Sequence, residues 1–214
     1  MLSNIDAIIF DMDGTLVDSM WVWANIDTEF LGARGLTLTP SLAKNMEGMS
    51  YIETAIAFKE EYNFTESVEE LCAIWNKMAY DRYEHEVDFK PGAQNFLHRV
   101  KEKGLKTGIA SSNCMELIQL VCNHLDITQY IDYICTSDSV KHGKPFPDVY
   151  LKAAEMLSVN PKRCLVFEDI PNGVKAGLSA GMKVCGIYDK YARTTEEEMR
   201  SLANYYIKSY DEVQ

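Results

Sequence analysis

The sequence predicts an α/β fold: a doubly wound, Rossmann-like parallel sheet carrying an inserted all-helical cap. Three observations lead there. Short apolar runs recur at Ala7 to Phe10, Lys106 to Ala110, Tyr133 to Thr136, Cys164 to Phe167 and Lys183 to Ile187, a length that suits strands buried on both faces. Helical periodicity separates the later runs, so the strands follow one another in parallel through right-handed crossovers. Between residues 17 and 87 the chain carries no strand signal. The expected organisation is a discontinuous core of residues 1–16 and 88–214 and a cap of residues 17–87.

In chain order, the first strand ends in Asp11-Met12-Asp13-Gly14-Thr15, and Gly14 permits a sharp turn without a Cβ penalty. Residues 17 to 35 then read as a helix, with Val17, Met20, Trp21, Ala24, Ile26, Phe30 and Leu31 at roughly helical spacing and Gly32 and Gly35 closing it. Pro40 opens a second helix to about Glu47. Ser50 with Glu53 three residues on forms a capping box before helix 51–62, and residues 66 to 86 supply a fourth helix. Pro91-Gly92 punctuates the return. Helices over 92–103, 115–125, 148–157, 173–180 and 195–203 alternate with the strands, and Tyr205 to Ile207 predicts a last one.

In an open parallel sheet, ligands bind beyond the carboxyl ends of the strands, where strand order reverses. Those ends carry Asp11 and Asp13, then Ser111-Ser112-Asn113, Ser137-Asp138 and Glu168-Asp169. Residues more than 150 positions apart in the chain are thus expected along one edge. Two acids so close repel one another unless a cation relieves them. Asp11, Asp169 and Glu168 offer hard oxygens, which suit magnesium completed by water and a substrate phosphate. Ser111 precedes a helix start, where hydroxyl and main-chain N–H groups hold phosphate oxygens. Lys144, between Gly143 and Pro145, supplies a compact positive charge. One carboxylate then attacks phosphorus while the other exchanges protons with the leaving oxygen and with water.

The totals narrow the partners. Thirty-two acidic residues against 21 basic give a formal net charge of -11, which disfavours nucleic acid and anionic membrane surfaces. The six cysteines include no C-x-x-C pair, so they are expected to be free thiols in a cytoplasmic protein. No charged-then-apolar leader precedes the first strand, and no apolar run approaches 18 residues, so neither export nor a membrane span is predicted. A monomer is expected.

Asp11-Met12-Asp13-Gly14-Thr15, Ser111, Lys144-Pro145 and Glu168-Asp169 together resemble the four motifs of the haloacid dehalogenase superfamily. Phe167 to Gly181 and Lys144 to Tyr150 are similar to its β-phosphoglucomutase-like phosphatase branch. The resemblance implies Asp11 as nucleophile and magnesium ligand. It implies Asp13 as general acid/base that also gives the metal its main-chain carbonyl. Asp169 is then the main motif-four ligand with Glu168 beside it, while Ser111 and Lys144 hold phosphate. Gly14, Thr15, Ser112 and Asn113 complete the expected phosphate-holding set. The implied activity is magnesium-dependent hydrolysis of a small phosphorylated metabolite, a sugar phosphate or similar, through an aspartyl phosphate. A hexose phosphate mutase is the alternative. It is disfavoured because the cap loop reads Gly48-Met49-Ser50-Tyr51 without an arginine, and Trp23 stands twelve residues beyond Asp11, where β-phosphoglucomutases carry a histidine. A phosphoacceptor signalling domain needs neither this length nor a cap, and an idle binding protein does not need all four motifs. Candidate cap contacts to substrate are Trp21, Trp23, Met49, Tyr51, Trp75, Lys77 and Tyr80.

Overall fold

The computed structural model of the protein describes residues 1–213. Six strands, β1 (Ala7–Phe10), β4 (Lys106–Ser111), β5 (Tyr133–Thr136), β6 (Cys164–Glu168), β7 (Lys183–Ile187) and β8 (Tyr205–Ile207), form one sheet in the order β5-β4-β1-β6-β7-β8. Every pairing in it is parallel. From β1 the chain winds outward through β4 to β5, then returns across β1 to β6 and winds the other way. The reversal lies at β1, flanked by β4 and β6. Beyond those three ends sits the site.

Side-chain alternation along β1 explains its central place. Ile8 and Phe10 enter an apolar cluster with Phe96, Phe167 and Tyr210, whereas Ala7 and Ile9 join Val149, Ala153 and Val166 on the opposite face. All four β1 residues are fully buried. Phe10 stacks on Phe167 with ring centroids 5.6 Å apart. Crossover helices α5 (Ala93–Glu102), α6 (Met115–His124), α7 (Asp148–Met156), α8 (Pro171–Ser179) and α9 (Glu196–Leu202) cover the two faces.

The expected helix from residue 17 begins only at Met20. Val17–Asp18 instead forms β2, which pairs antiparallel with β3 (Asp88–Phe89), Val17 facing Phe89 and Asp18 facing Asp88. Helical periodicity could not reveal this pairing, since its partner lies about seventy residues away. Between the two strands run α1 (Met20–Gly32), α2 (Pro40–Asn45), α3 (Tyr51–Tyr62) and α4 (Val68–His85). The Ser50/Glu53 capping box forms as read, and Ser67 with Glu70 makes a second one at the start of α4. Trp75 holds this insert together: its ring packs edge-on against Phe58 at 5.0 Å and Phe30 at 5.7 Å.

Lys90, just after β3, is tied to Asp189, just after β7, by a buried ion pair of 2.8 Å. Among the described residues, no helix is long and apolar enough to cross a membrane, and all six cysteines are free.

Candidate active site

β1, β4 and β6 deliver Asp11, Ser111 and Glu168-Asp169 to one edge, and the loop before α7 brings Lys144 across to them. The Lys144 ammonium, almost completely buried, donates to Asp11 Oδ1 at 2.5 Å and to Glu168 Oε1 at 2.6 Å. Glu168 is fully occupied. Its Oε1 also accepts from the Tyr150 hydroxyl at 2.6 Å, and its Oε2 accepts from the main-chain N–H groups of Asp169 at 3.1 Å and Ile170. Thr15 donates its hydroxyl to Asp169 Oδ1 at 3.0 Å. Asp11 Oδ2 and Asp169 Oδ2 have no hydrogen-bond partner among the described residues.

One carboxylate oxygen each of Asp11, Glu168 and Asp169 lies within 4.8 Å of the others, all three residues buried. Burial pushes the Asp11 carboxyl up to about 7 despite the Lys144 charge, with Glu168 adding to the rise. Burial likewise pushes Asp169 well above the usual carboxylate range, with the Asp11 and Glu168 charges adding to it. Three buried acids against one lysine leave a deficit of positive charge. An all-oxygen donor set with two free carboxylate oxygens fits a hard divalent cation.

Asp13 is held differently. Its Oδ1 accepts from the Ser19 hydroxyl at 2.5 Å and from the Tyr83 hydroxyl, and its Oδ2 accepts from the Asn113 amide at 2.9 Å. The Tyr83 oxygen itself receives Trp23 Nε1–H at 2.8 Å and Asn113 Nδ2–H at 3.2 Å. With both lone pairs occupied, Tyr83 has its single proton left for Asp13. Three neutral donors from three segments therefore fix this carboxylate, one of them on α4 of the helical insert.

A cavity of about 250 Å³ opens in front of these groups. Asp11, Asp13, Ser111, Ser112, Asn113, Lys144 and Asp169 line its floor, and the insert with the segment around Arg193 supplies its walls. The expected phosphate-holding residues separate here. Ser111 accepts from Asn113 N–H at 3.1 Å, and its own proton has no acceptor among the described residues, leaving it free for a ligand. Ser112 donates to the Gly48 carbonyl at 3.3 Å, and the Asn113 side chain is taken up by Asp13, Tyr83 and Cys114 N–H. Gly14 and Thr15 stand behind the cavity: Gly14, at φ +77°, makes the turn where a Cβ would collide with the Asp169 carboxylate. Glu168 also lies behind the floor. Of the expected cap contacts, Trp23, Met49, Tyr51 and Trp75 reach the cavity, while Trp21, Lys77 and Tyr80 do not.

Ser19, Tyr83, Tyr150, Asp27 and Arg193 were not foreseen. Tyr150 closes the Lys144-Pro145-Phe146-Pro147-Asp148-Val149-Tyr150 stretch, and a hydroxyl in the first turn of the helix that follows Lys144 was the available signal. No sequence signal connects Tyr83 with Asp13 across 70 residues.

The pattern of the haloacid dehalogenase-like hydrolases matches residues 8–187. A phosphorylated carbohydrates phosphatase of Thermotoga maritima is 30% identical over 187 residues, covering 84% of this chain and 83% of that protein. Hexitol phosphatase B of Escherichia coli is 27% identical over 186 residues, covering 84% and 82%. The crystal structure of β-phosphoglucomutase from Clostridium difficile superposes with a TM-score of 0.82 at 26% identity, covering 98% of this chain and 93% of that one. The chain therefore belongs to the haloacid dehalogenase-like hydrolase family, on the β-phosphoglucomutase-like side where its relatives are phosphatases.

Proposed function

We propose that this phosphoric monoester hydrolase works as a magnesium-dependent phosphatase on a small phosphorylated metabolite, through a phosphoryl group carried on Asp11. The observation that carries the reading is the contrast between two carboxylates two residues apart. Asp11 is pinned by a lysine with one oxygen free, whereas Asp13 is oriented by three neutral donors on the same cavity.

In the first step Asp11 attacks phosphorus. The bond from phosphorus to the leaving oxygen breaks, and Asp13 gives that oxygen its proton, so an alcohol departs rather than an alkoxide. In the second step Asp13, now a carboxylate, takes a proton from the water that attacks the phosphoryl group. The Asp11–phosphorus linkage breaks, and inorganic phosphate leaves. The Ser111 proton and the third Lys144 N–H, neither engaged elsewhere among the described residues, are the donors for phosphoryl oxygens.

Magnesium would be held by Asp11, Asp169 and the Asp13 main-chain carbonyl, and when bound it neutralises charge on the phosphoryl oxygens. Glu168, saturated by Lys144, Tyr150 and two N–H groups, serves by holding Lys144 in place. The helical insert closes the cavity and excludes water other than the attacking one.

Hydrolysis is favoured over isomerisation because a mutase must hold a second phosphate. Met49 follows Gly48 where an arginine would be needed, and the Trp23 indole is engaged by Tyr83. The test is phosphate release from p-nitrophenyl phosphate with magnesium, which should exceed one equivalent per protein and continue linearly. Release that stops at one equivalent would leave a phosphoacceptor rather than a phosphatase.

A further inference from the structure

The wall of the cavity facing away from the catalytic floor is mostly hydrocarbon, and one stripe of α1 forms much of it. Met20, Trp23, Ala24 and Asp27 fall at positions i, i+3, i+4 and i+7, one face of the helix, and all four line the cavity. The stripe starts beside Ser19, which touches Asp13, and ends about 10 Å further along the helix at Asp27. Asp27 is half-buried, and its carboxylate has no hydrogen-bond or ion-pair partner among the described residues. Burial pushes it up to about 6, against the Arg193 charge. Glu47, at the same end, is also raised by burial and also feels Arg193.

Arg193 comes from the core segment between β7 and α9, and its guanidinium donates to the Ala43 carbonyl at the end of α2. Two carboxylates and one guanidinium leave that end of the cavity negative. A second phosphate or a carboxylate on the substrate would meet repulsion there. A hydroxyl would meet an acceptor, and the Trp23 ring beside it offers an apolar face to carbon-bound hydrogens.

We propose that Asp27 is the specificity-determining residue for the leaving group, and that the substrate is the monophosphate of a polyhydroxylated alcohol longer than glycerol, without a second acidic group. This rests on the phosphatase reading and adds the substrate class to it. The distance along α1 sets the length, since a hydroxyl must reach Asp27 while the phosphate sits between Asp11 and Ser111. The charge at that end sets the exclusion of bisphosphates.

The test compares kcat/KM, with magnesium, for sorbitol 6-phosphate, butyl phosphate and fructose 1,6-bisphosphate in the wild type, Asp27→Ala and Asp27→Asn. The wild type should favour sorbitol 6-phosphate over butyl phosphate by about tenfold or more, the scale of a hydrogen bond to a charged group, and should handle the bisphosphate worst. Asp27→Ala should collapse that polyol-to-alkyl ratio toward one. The isosteric Asp27→Asn, which keeps an acceptor but loses the charge, should retain part of the ratio and improve the bisphosphate. A wild type indifferent to hydroxyls, a ratio unchanged in Asp27→Ala, or a preference for the bisphosphate would each overturn the assignment. Phosphate release from none of the three, with p-nitrophenyl phosphate still turned over, would overturn the substrate class alone; release from none of the four would sink the phosphatase reading, and the substrate class with it.

Discussion

Replacing Lys144 with methionine tests how the acid cluster is held together. The side chain is almost fully buried and donates to Asp11 at 2.5 Å and Glu168 at 2.6 Å, so its loss strands two buried carboxylates. Breaking a buried pair by removing one partner costs about 3–5 kcal/mol. At this chain length each kcal/mol moves the melting temperature by about 2–4 °C, so Lys144→Met should melt roughly 6–20 °C lower in metal-free buffer. Magnesium bound as proposed would supply positive charge to the same cluster, so it should stabilise the variant more than the wild type, without restoring turnover. The metal-free wild type carries the same strain in milder form. Its Asp11 carboxyl sits at about 7 against an ordinary 3.8, so across that interval the folded state keeps a proton that the unfolded chain has shed. Its stability should therefore fall as pH rises from about 4 to about 7, by up to about 1.4 kcal/mol per pH unit for one such group, and in Lys144→Met, where the lysine charge no longer lowers the Asp11 carboxyl, the fall should extend to higher pH. Thermal and urea unfolding with and without magnesium read all of this. An unchanged melting temperature in metal-free Lys144→Met would show that the cluster does not depend on the lysine, and the electrostatic account of the site would fail.

Asp11→Asn should leave below about a hundredth of wild-type turnover, since an amide does not attack phosphorus; a variant keeping a tenth would remove Asp11 from the nucleophile's place. Tyr83→Phe deletes one of three donors on Asp13 and should lower kcat roughly tenfold with little change in KM, whereas an unchanged kcat would show that Ser19 and Asn113 suffice. A chelator should abolish phosphate release, magnesium should restore it and calcium should not, because calcium prefers more ligands at longer distances; equal activity with both ions would refute the compact site.

The strand ends were legible because a buried parallel strand announces itself as an apolar run and must stop where polar residues begin. Asp11, Ser111 and Asp169 could thus be placed on one edge before any contact was known, and Lys144 followed from the need for charge. What stayed hidden depends on pairings across the chain. Val17 and Asp18 continue the helical pattern of the following residues, yet Phe89 and Asp88 capture them in a ladder. Asn113 reads as a phosphate donor from its place after β4, but its amide is claimed by Asp13 and Tyr83. Thr15 reads the same way, and its hydroxyl goes to Asp169 instead. Donor groups near a site are identifiable from sequence; which acceptor captures each is decided by side chains arriving from elsewhere.

The short ladder of Val17–Asp18 against Asp88–Phe89 brings residues 19 to 87 out of the core and back at facing positions. For the sheet, that long excursion is equivalent to a hairpin whose tip has grown, and each doubling of a loop adds only about 0.6 kcal/mol of closure entropy. The segment is therefore a cassette: its length and lining can be exchanged without re-laying a single strand of the sheet. Any replacement meets one condition that the splice points do not advertise. On the role proposed for Asp13, it must bring a hydroxyl back to that carboxylate where Tyr83 now stands, so a graft chosen only for its pocket should recognise a new substrate and process it poorly.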